Sequence, residues 1–267
     1  MRNFFFFLVL LFLPFSIFAK ESPVKTKPAL QRVLYIGDSH SVGIFGHTMT
    51  TLLREDLPKN VALMAVASCG SEPRWWLEGK TTNCGLRTLY PNGFDDEIHK
   101  AQTPKIAELL SIVKPKITIV QLGSNLVLMG NEEREKSTDT MMDLIEHKGG
   151  QCVWISAPDS RKFSSAEIGN VYELLKKLAK KHHCKLIDSR KYTKYPAGGD
   201  GLHYGGKDGA PIAKYWAEKV FANAIKPELA KNFTLSPKPI VKSAPKIDSK
   251  TNIKLQPAKT HADKKRK

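Results

Sequence analysis

Residues 32–41 read Arg-Val-Leu-Tyr-Ile-Gly-Asp-Ser-His-Ser: a short apolar, β-rich run, then a tight turn, then a helical stretch. The first five have the make-up of a strand buried on both faces of a parallel sheet. Residues 61–67, 116–122, 151–156 and 185–188 repeat that make-up. Helical patterns lie between these runs. Thr103 and Pro104 form an N-cap and first-turn pair before Ile106, Leu109, Leu110 and Val113, and Ser164 with Glu167 forms a capping box before Val171, Leu174, Leu175 and Leu178. Residues 208–224 read as a closing helix. Strict β-α alternation predicts one α/β sandwich with right-handed crossovers and a site at the carboxyl ends of the strands.

The chain of 267 residues, 41% hydrophobic and 25% charged, can fill one sizeable core, which excludes a fibre or a wholly disordered chain. Its net charge of +16 admits nucleic acid, anionic membrane or acidic polymer as partners. Residues 226–267 carry 12 Lys and Arg against 3 acids, so most of the basicity belongs to the end of the chain. That stretch has five prolines and little periodicity, the composition of a disordered tail.

At the other end, Arg2 precedes an apolar run over residues 4–19 that Lys20 closes, as in a secretory signal cleaved after Ala19. Ile17 is larger than the small residue preferred at the −3 position, which keeps an uncleaved anchor as the alternative. Export makes Cys69, Cys84, Cys152 and Cys184 disulfide candidates. Three pairings are arithmetically open. No C-x-x-C spacing and no adjacent histidine at ligand spacing favours a structural zinc.

Residues 69–94 are too long for an ordinary strand-to-helix connection and hold Arg74, Trp75, Trp76 and Tyr90, which suggests a functional excursion over the active end of the sheet. The chemistry gathers around it. Ser39, in the turn after the first strand, is held clear of the sheet at the start of a helix, where a nucleophile gains from the positive helix end. Gly70 follows the second strand and leaves its N–H open to a substrate oxygen. Asn125 follows the third strand as a second donor. Asp200-Gly201-Leu202-His203 places an acid and an imidazole three residues apart before the last helix.

Over residues 32–225 this order of blocks resembles the SGNH, or GDSL-like, hydrolase superfamily. The resemblance implies a flavodoxin-like three-layer α/β/α sandwich with a five-stranded parallel sheet. It implies Ser39 as nucleophile, His203 as base and Asp200 as its orienting acid, with the N–H groups of Ser39 and Gly70 and the Asn125 amide as oxyanion hole. His40 stands where the common first block has Leu, and the Asp that often follows the Asn is absent; neither change removes a catalytic atom. In a flavodoxin-like order the fourth and fifth strands are neighbours, so Cys152 is expected to pair with Cys184, and Cys69 with Cys84 across the excursion. The G-D-S-H opening and the Ser-Cys pair look like SGNH domains acting on acyl groups of extracytoplasmic glycans.

The resulting expectation is a periplasmic or secreted serine esterase that removes O-acyl, foremost O-acetyl, groups from envelope glycan. The alternatives are an O-acyltransferase using the same residues, a lipase- or thioesterase-type hydrolase, and an inactive glycan-binding module. Trp75, Trp76 and Arg74 are the candidate substrate contacts, the rings by stacking on sugar faces. The expected organisation is a signal peptide at 1–19, a linker at 20–29, the hydrolase domain at 30–226 and a basic tail at 227–267 that meets anionic envelope polymer. No cofactor, no metal, no specific nucleic acid partner, no transmembrane span after cleavage and a monomer complete the expectation. Residues 201–208, GLHYGGKD, miss a phosphate loop because Asp208 stands where Ser or Thr must hold magnesium. G-x-S-x-G is absent. His182-His183 reads as a solvated helix end and Trp154 as core.

Overall fold

The computed structural model describes residues 30–233. The expected signal peptide at 1–19, the expected linker at 20–29 and the chain beyond residue 233 lie outside the described residues.

The first unit runs β1 (Gln31–Gly37), α1 (Ser39–Val42), α2 (Ile44–Asp56) and β2 (Val61–Ser68). The excursion follows as α3 (Pro73–Glu78), β3 (Thr81–Thr82), β4 (Leu86–Leu89), β5 (Asp95–Ile98) and β6 (Ala101–Gln102). The rest runs α4 (Ile106–Val113), β7 (Ile117–Gln121), α5 (Asn131–Lys148), β8 (Gln151–Ile155), α6 (Ser165–Lys181), β9 (Lys185–Ile187), α7 (Gly206–Val220) and α8 (Lys226–Asn232).

The main sheet has the order β5-β4-β2-β1-β7-β8-β9. The five expected parallel strands are its body, from β2 to β9. The sheet has seven strands and not five, because the excursion folds back and adds β4 and β5 antiparallel beyond β2. Charges on edge strand β5, Asp95, Asp96 and Glu97, discourage further pairing there.

Alternation along β1 divides the core. Val33 and Tyr35 face one layer with Phe45, Met49, Trp216, Val220 and Leu229, while Leu34 and Ile36 face the other with Trp76, Leu110, Met141, Trp154 and Leu175. Helices therefore cover both faces, and both ends of each central strand sit between them. Trp154 is core, as its position in a strand suggests, with its Nε1 donating to the Leu122 carbonyl at 2.9 Å.

The capping box of Ser164 and Glu167 forms as read from the sequence. The cap at Thr103 does not: α4 starts later, with Lys105 at the N-cap, and Thr103 instead lies buried with its hydroxyl 2.7 Å from Ser68 Oγ. The closing helix begins at Gly206 and passes through a π-helical turn into α8. Residues 226–233 thus belong to the folded domain and not to the tail, since Leu229 and Phe233 are buried in the core and Glu228 pairs with Lys185 at 2.8 Å.

Both expected disulfides are present, Cys69–Cys84 and Cys152–Cys184. The second follows from register: Val153 stands opposite Lys185, so the residue before each meets its counterpart. No described helix is long and apolar enough to cross a membrane.

Candidate active site

Pairing of β1 with β2 and β7 sets Gly37 opposite Ala67 on one side and Gln121 on the other. The three loops leaving those strands consequently start side by side, and they carry Ser39, Gly70 and Asn125. Ser39 opens α1, with Asp38 at the N-cap accepting from the His40 N–H at 2.9 Å. Gly70 has φ of +81°, a left-handed conformation that any side chain would strain. Gly123, before the 3₁₀ turn that holds Asn125, is needed for space: a Cβ there would fall 2.3 Å from the Ala157 nitrogen.

Hydrogen bonds lace the loops together. Asn125 Nδ2 donates to the Ser71 carbonyl at 2.9 Å, and Ser71 Oγ donates to the Gly37 carbonyl at 3.4 Å. Trp76 Nε1 in turn donates to Ser71 Oγ at 3.1 Å. One of the two amide protons of Asn125 is spent on this anchor, which leaves the other for a substrate oxygen.

Ser39 Oγ lies 3.0 Å from His203 Nε2, and His203 Nδ1 lies 2.6 Å from Asp200 Oδ2. This is the spacing of a nucleophile, base and orienting acid in hydrogen-bond contact. Burial would raise the Asp200 carboxyl, but bonds from the His203 N–H, the His203 ring and the Leu202 N–H outweigh it and hold the group well below the usual carboxylate range. Asp200 is therefore an anion whenever His203 is asked to carry a proton.

A second imidazole stands beside the first. His40 is buried, its ring 5.7 Å from that of His203 and edge-on to Trp216, with Nε2 3.2 Å from Ser124 Oγ. Burial, helped by the neighbouring His203, pushes its pKa down to about 3. His40 thus stays neutral at ordinary pH.

Sequence reasoning missed two residues of the site. Ser71 joins all three loops. Tyr195, on the loop before Asp200, contacts Asp200, Gly201 and the His203 carbonyl at once. Ser71 is a small polar residue directly after the Ser-Cys-Gly block and Tyr195 lies five residues before the acid; neither belongs to a motif.

The candidate substrate contacts separate. Trp75 is half-buried, with ring atom Cη2 3.7 Å from where a Cβ on Gly70 would sit, and so flanks the Gly70 loop. Trp76 is fully buried in the core and offers substrate no surface, contrary to expectation. Arg74 is also not offered to substrate: it pairs with Glu72 at 3.3 Å and with Glu133, bridging α3 to α5. A cavity of about 130 Å³ adjoins Ser39 and His203, lined mainly by apolar parts of Gly43, Ile44, Phe45, Tyr204 and Ala213. A groove of about 330 Å³ on the far side of His203 runs past Tyr195, Asp200 and Lys207.

No protein-family model and no curated protein matches the chain. Solved structures do resemble it. TesA is 15% identical with a TM-score of 0.53, the match covering 74% of this chain and 99% of that one. A catalytic mutant of Axe2, an acetylxylan esterase from Geobacillus stearothermophilus, is 12% identical with a TM-score of 0.51, covering 73% and 94%. The acetyl xylan esterase AlAXEase is 14% identical with a TM-score of 0.50, covering 72% and 99%. These likenesses establish the fold as that of the SGNH hydrolases.

Proposed function

We propose that this protein is an extracytoplasmic serine esterase that removes short O-acyl groups, foremost acetyl, from glycan. The observation that carries the reading is the unbroken contact from Ser39 Oγ through His203 to the Asp200 carboxylate, at 3.0 and 2.6 Å. His203 Nε2 takes the Ser39 proton as Oγ attacks the ester carbonyl. The N–H groups of Ser39 and Gly70 and the Asn125 amide receive the developing oxyanion. His203 then gives its proton to the departing sugar hydroxyl, the carbon–oxygen bond breaks, and water releases acetate from Ser39 by the same route in reverse.

The size of the cavity beside Ser39 and His203 favours a short acyl group. At about 130 Å³ it is small against the roughly 300–1,000 Å³ of drug-sized ligand sites, and a long lipid chain would overflow it. Trp75 beside the oxyanion-hole loop gives a sugar ring an aromatic face. Resemblance in fold to acetylxylan esterases agrees with an O-acetylated sugar. Two disulfides agree with an oxidising compartment. Residues beyond Phe233, rich in lysine, would hold the enzyme on anionic envelope polymer.

The test is acetate release from O-acetylated glycan by the purified protein, with a de-acetylated glycan present as acceptor. Release that Ser39→Ala abolishes supports the esterase; acetyl appearing on the acceptor without free acetate would make the protein a transferase. Absence of both would refute the reading.

A further inference from the structure

Away from the Ser39 cleft, the carboxyl-terminal ends of α5 and α6 bring histidines and carboxylates together. Asp139, Asp143, Glu146 and His147 lie on α5 at helical spacing, and His182 and His183 directly follow α6. His182 is not the solvated residue its sequence context suggests, being only 5% exposed. Its Nε2 lies 2.7 Å from Asp139 Oδ1 and its Nδ1 lies 3.0 Å from Glu146 Oε2. His183 Nδ1 approaches the other oxygen of Glu146 at 2.7 Å. One ligand atom each from Asp143, Glu146 and His182 falls within 4.8 Å of the other two.

A neutral imidazole has one N–H and one lone pair. Asp139 is fixed by Lys181, whose Nζ donates to both its oxygens at 2.7 and 2.9 Å, and is placed to accept the N–H of His182 Nε2. In that tautomer the lone pair on Nδ1 faces Glu146 Oε2, and an ion between or beside the two atoms would bridge them. A carboxylate accepting from the other ring nitrogen is what orients metal-binding histidines, and Asp139 supplies it. Two ligands of tetrahedral zinc, each about 2.0–2.1 Å from the metal, stand about 3.3 Å apart, close to the Nδ1 to Oε2 separation.

We propose that Asp143, Glu146 and His182 form a site for a divalent metal ion of the zinc class, with His183 or water completing it. Imidazole and carboxylate ligands suit zinc more than magnesium or calcium. The ion would join α5 to α6 next to the Cys152–Cys184 bridge, which begins at the residue after His183. It is separate from the ester chemistry, and its detection needs no activity.

The experiment is a calorimetric titration of the full, untagged chain with zinc chloride after treatment with chelator. One zinc per chain is expected, bound more weakly at about pH 5.5 than at about pH 7 because the proton competes for the histidine. Glu146→Gln and Asp143→Asn are each expected to weaken binding at least about tenfold, and Asp139→Asn by about 10–100-fold through the lost orientation of His182. Asp143 is exposed, so its variant keeps the fold and decides the matter even if the others do not. No stoichiometric binding, or equal binding by the wild type and Asp143→Asn, would overturn the proposal and leave His182 as an imidazolium clamped by two carboxylates.

Discussion

Tyr195 Oη stands 3.2 Å from Asp200 Oδ1 and 3.0 Å from the His203 carbonyl oxygen, and it accepts from the Gly201 N–H at 3.0 Å. A single phenol thus ties down the turn that bears both Asp200 and His203. Loss of one such bond is worth about 1 kcal/mol, so Tyr195→Phe is expected to lower kcat for a soluble ester by about fivefold with KM little changed. Steady-state kinetics beside a melting curve checks this. A lower Tm with unchanged kcat would reduce Tyr195 to a packing residue.

Asp38, next to Ser39, is buried, and burial pushes its carboxyl up to about 7 against the opposing His40 N–H. An unfolded aspartate titrates near 3.9, at about the usual value. Between about pH 4 and about pH 7 the folded chain keeps a proton that the unfolded chain has lost, so this group's contribution to stability falls as pH rises through the window and levels off above it. Asp38→Asn cannot lose that proton. Denaturant unfolding of both proteins should show the wild type losing ground to the variant from about pH 4 to about pH 7, then a constant difference. Asp200, held low, acts in the opposite sense but equally in both. A difference independent of pH would contradict the buried, protonated carboxyl.

The two disulfides should separate in their effects. Each closes a loop, with separations of 15 and 32 residues, and its removal is expected to cost about 2–4 kcal/mol. Replacing Cys69 and Cys84 by Ser should also reduce ester turnover, because Gly70 adjoins Cys69 in the site. Replacing Cys152 and Cys184 should leave turnover of the remaining folded protein unchanged. Chemical denaturation and single-time-point kinetics on the same samples distinguish the two.

The end of the domain can be placed by truncation. Ending the chain after Phe233 should leave turnover of a small ester unchanged, while lowering adhesion to anionic envelope polymer in a salt-dependent way. Ending it after Lys226 removes Leu229 and Phe233 from the core and should destabilise by at least the roughly 2–5 kcal/mol of a buried Leu→Ala change. Equal Tm for the two truncations would show that α8 contributes nothing to the fold.

How much of this was legible in the sequence depended on burial. The central strands are apolar on both faces, so residues 32–36 and their four repeats stood out, and the blocks around Ser39, Gly70 and Asn125 lie where those strands end, with Asp200 in the loop before the closing helix. Strands β4 and β5 were hidden because their edge carries Asp95, Asp96 and Glu97 and shows no alternation. Helix α8 was hidden because only Leu229 and Phe233 interrupt a Pro- and Lys-bearing segment. Trp75 and Trp76 could not be told apart in sequence; in α3 neighbouring residues point about 100° apart, so one ring enters the core while the other lies half-buried beside Gly70. The roles of Ser71 and His182 depend on partners distant in sequence, and Tyr195 acts within an irregular loop that no local pattern announces.

The central claim is that Ser39 is a nucleophile activated by His203. Treating the folded protein with an organophosphonate and mapping the modified peptide by mass spectrometry tests it most directly. The account requires one phosphonyl group per chain, on Ser39, with labelling lost in Ser39→Ala and strongly slowed in His203→Ala. Ester turnover that survives in Ser39→Ala, or a label that settles on another residue and abolishes activity from there, would contradict it.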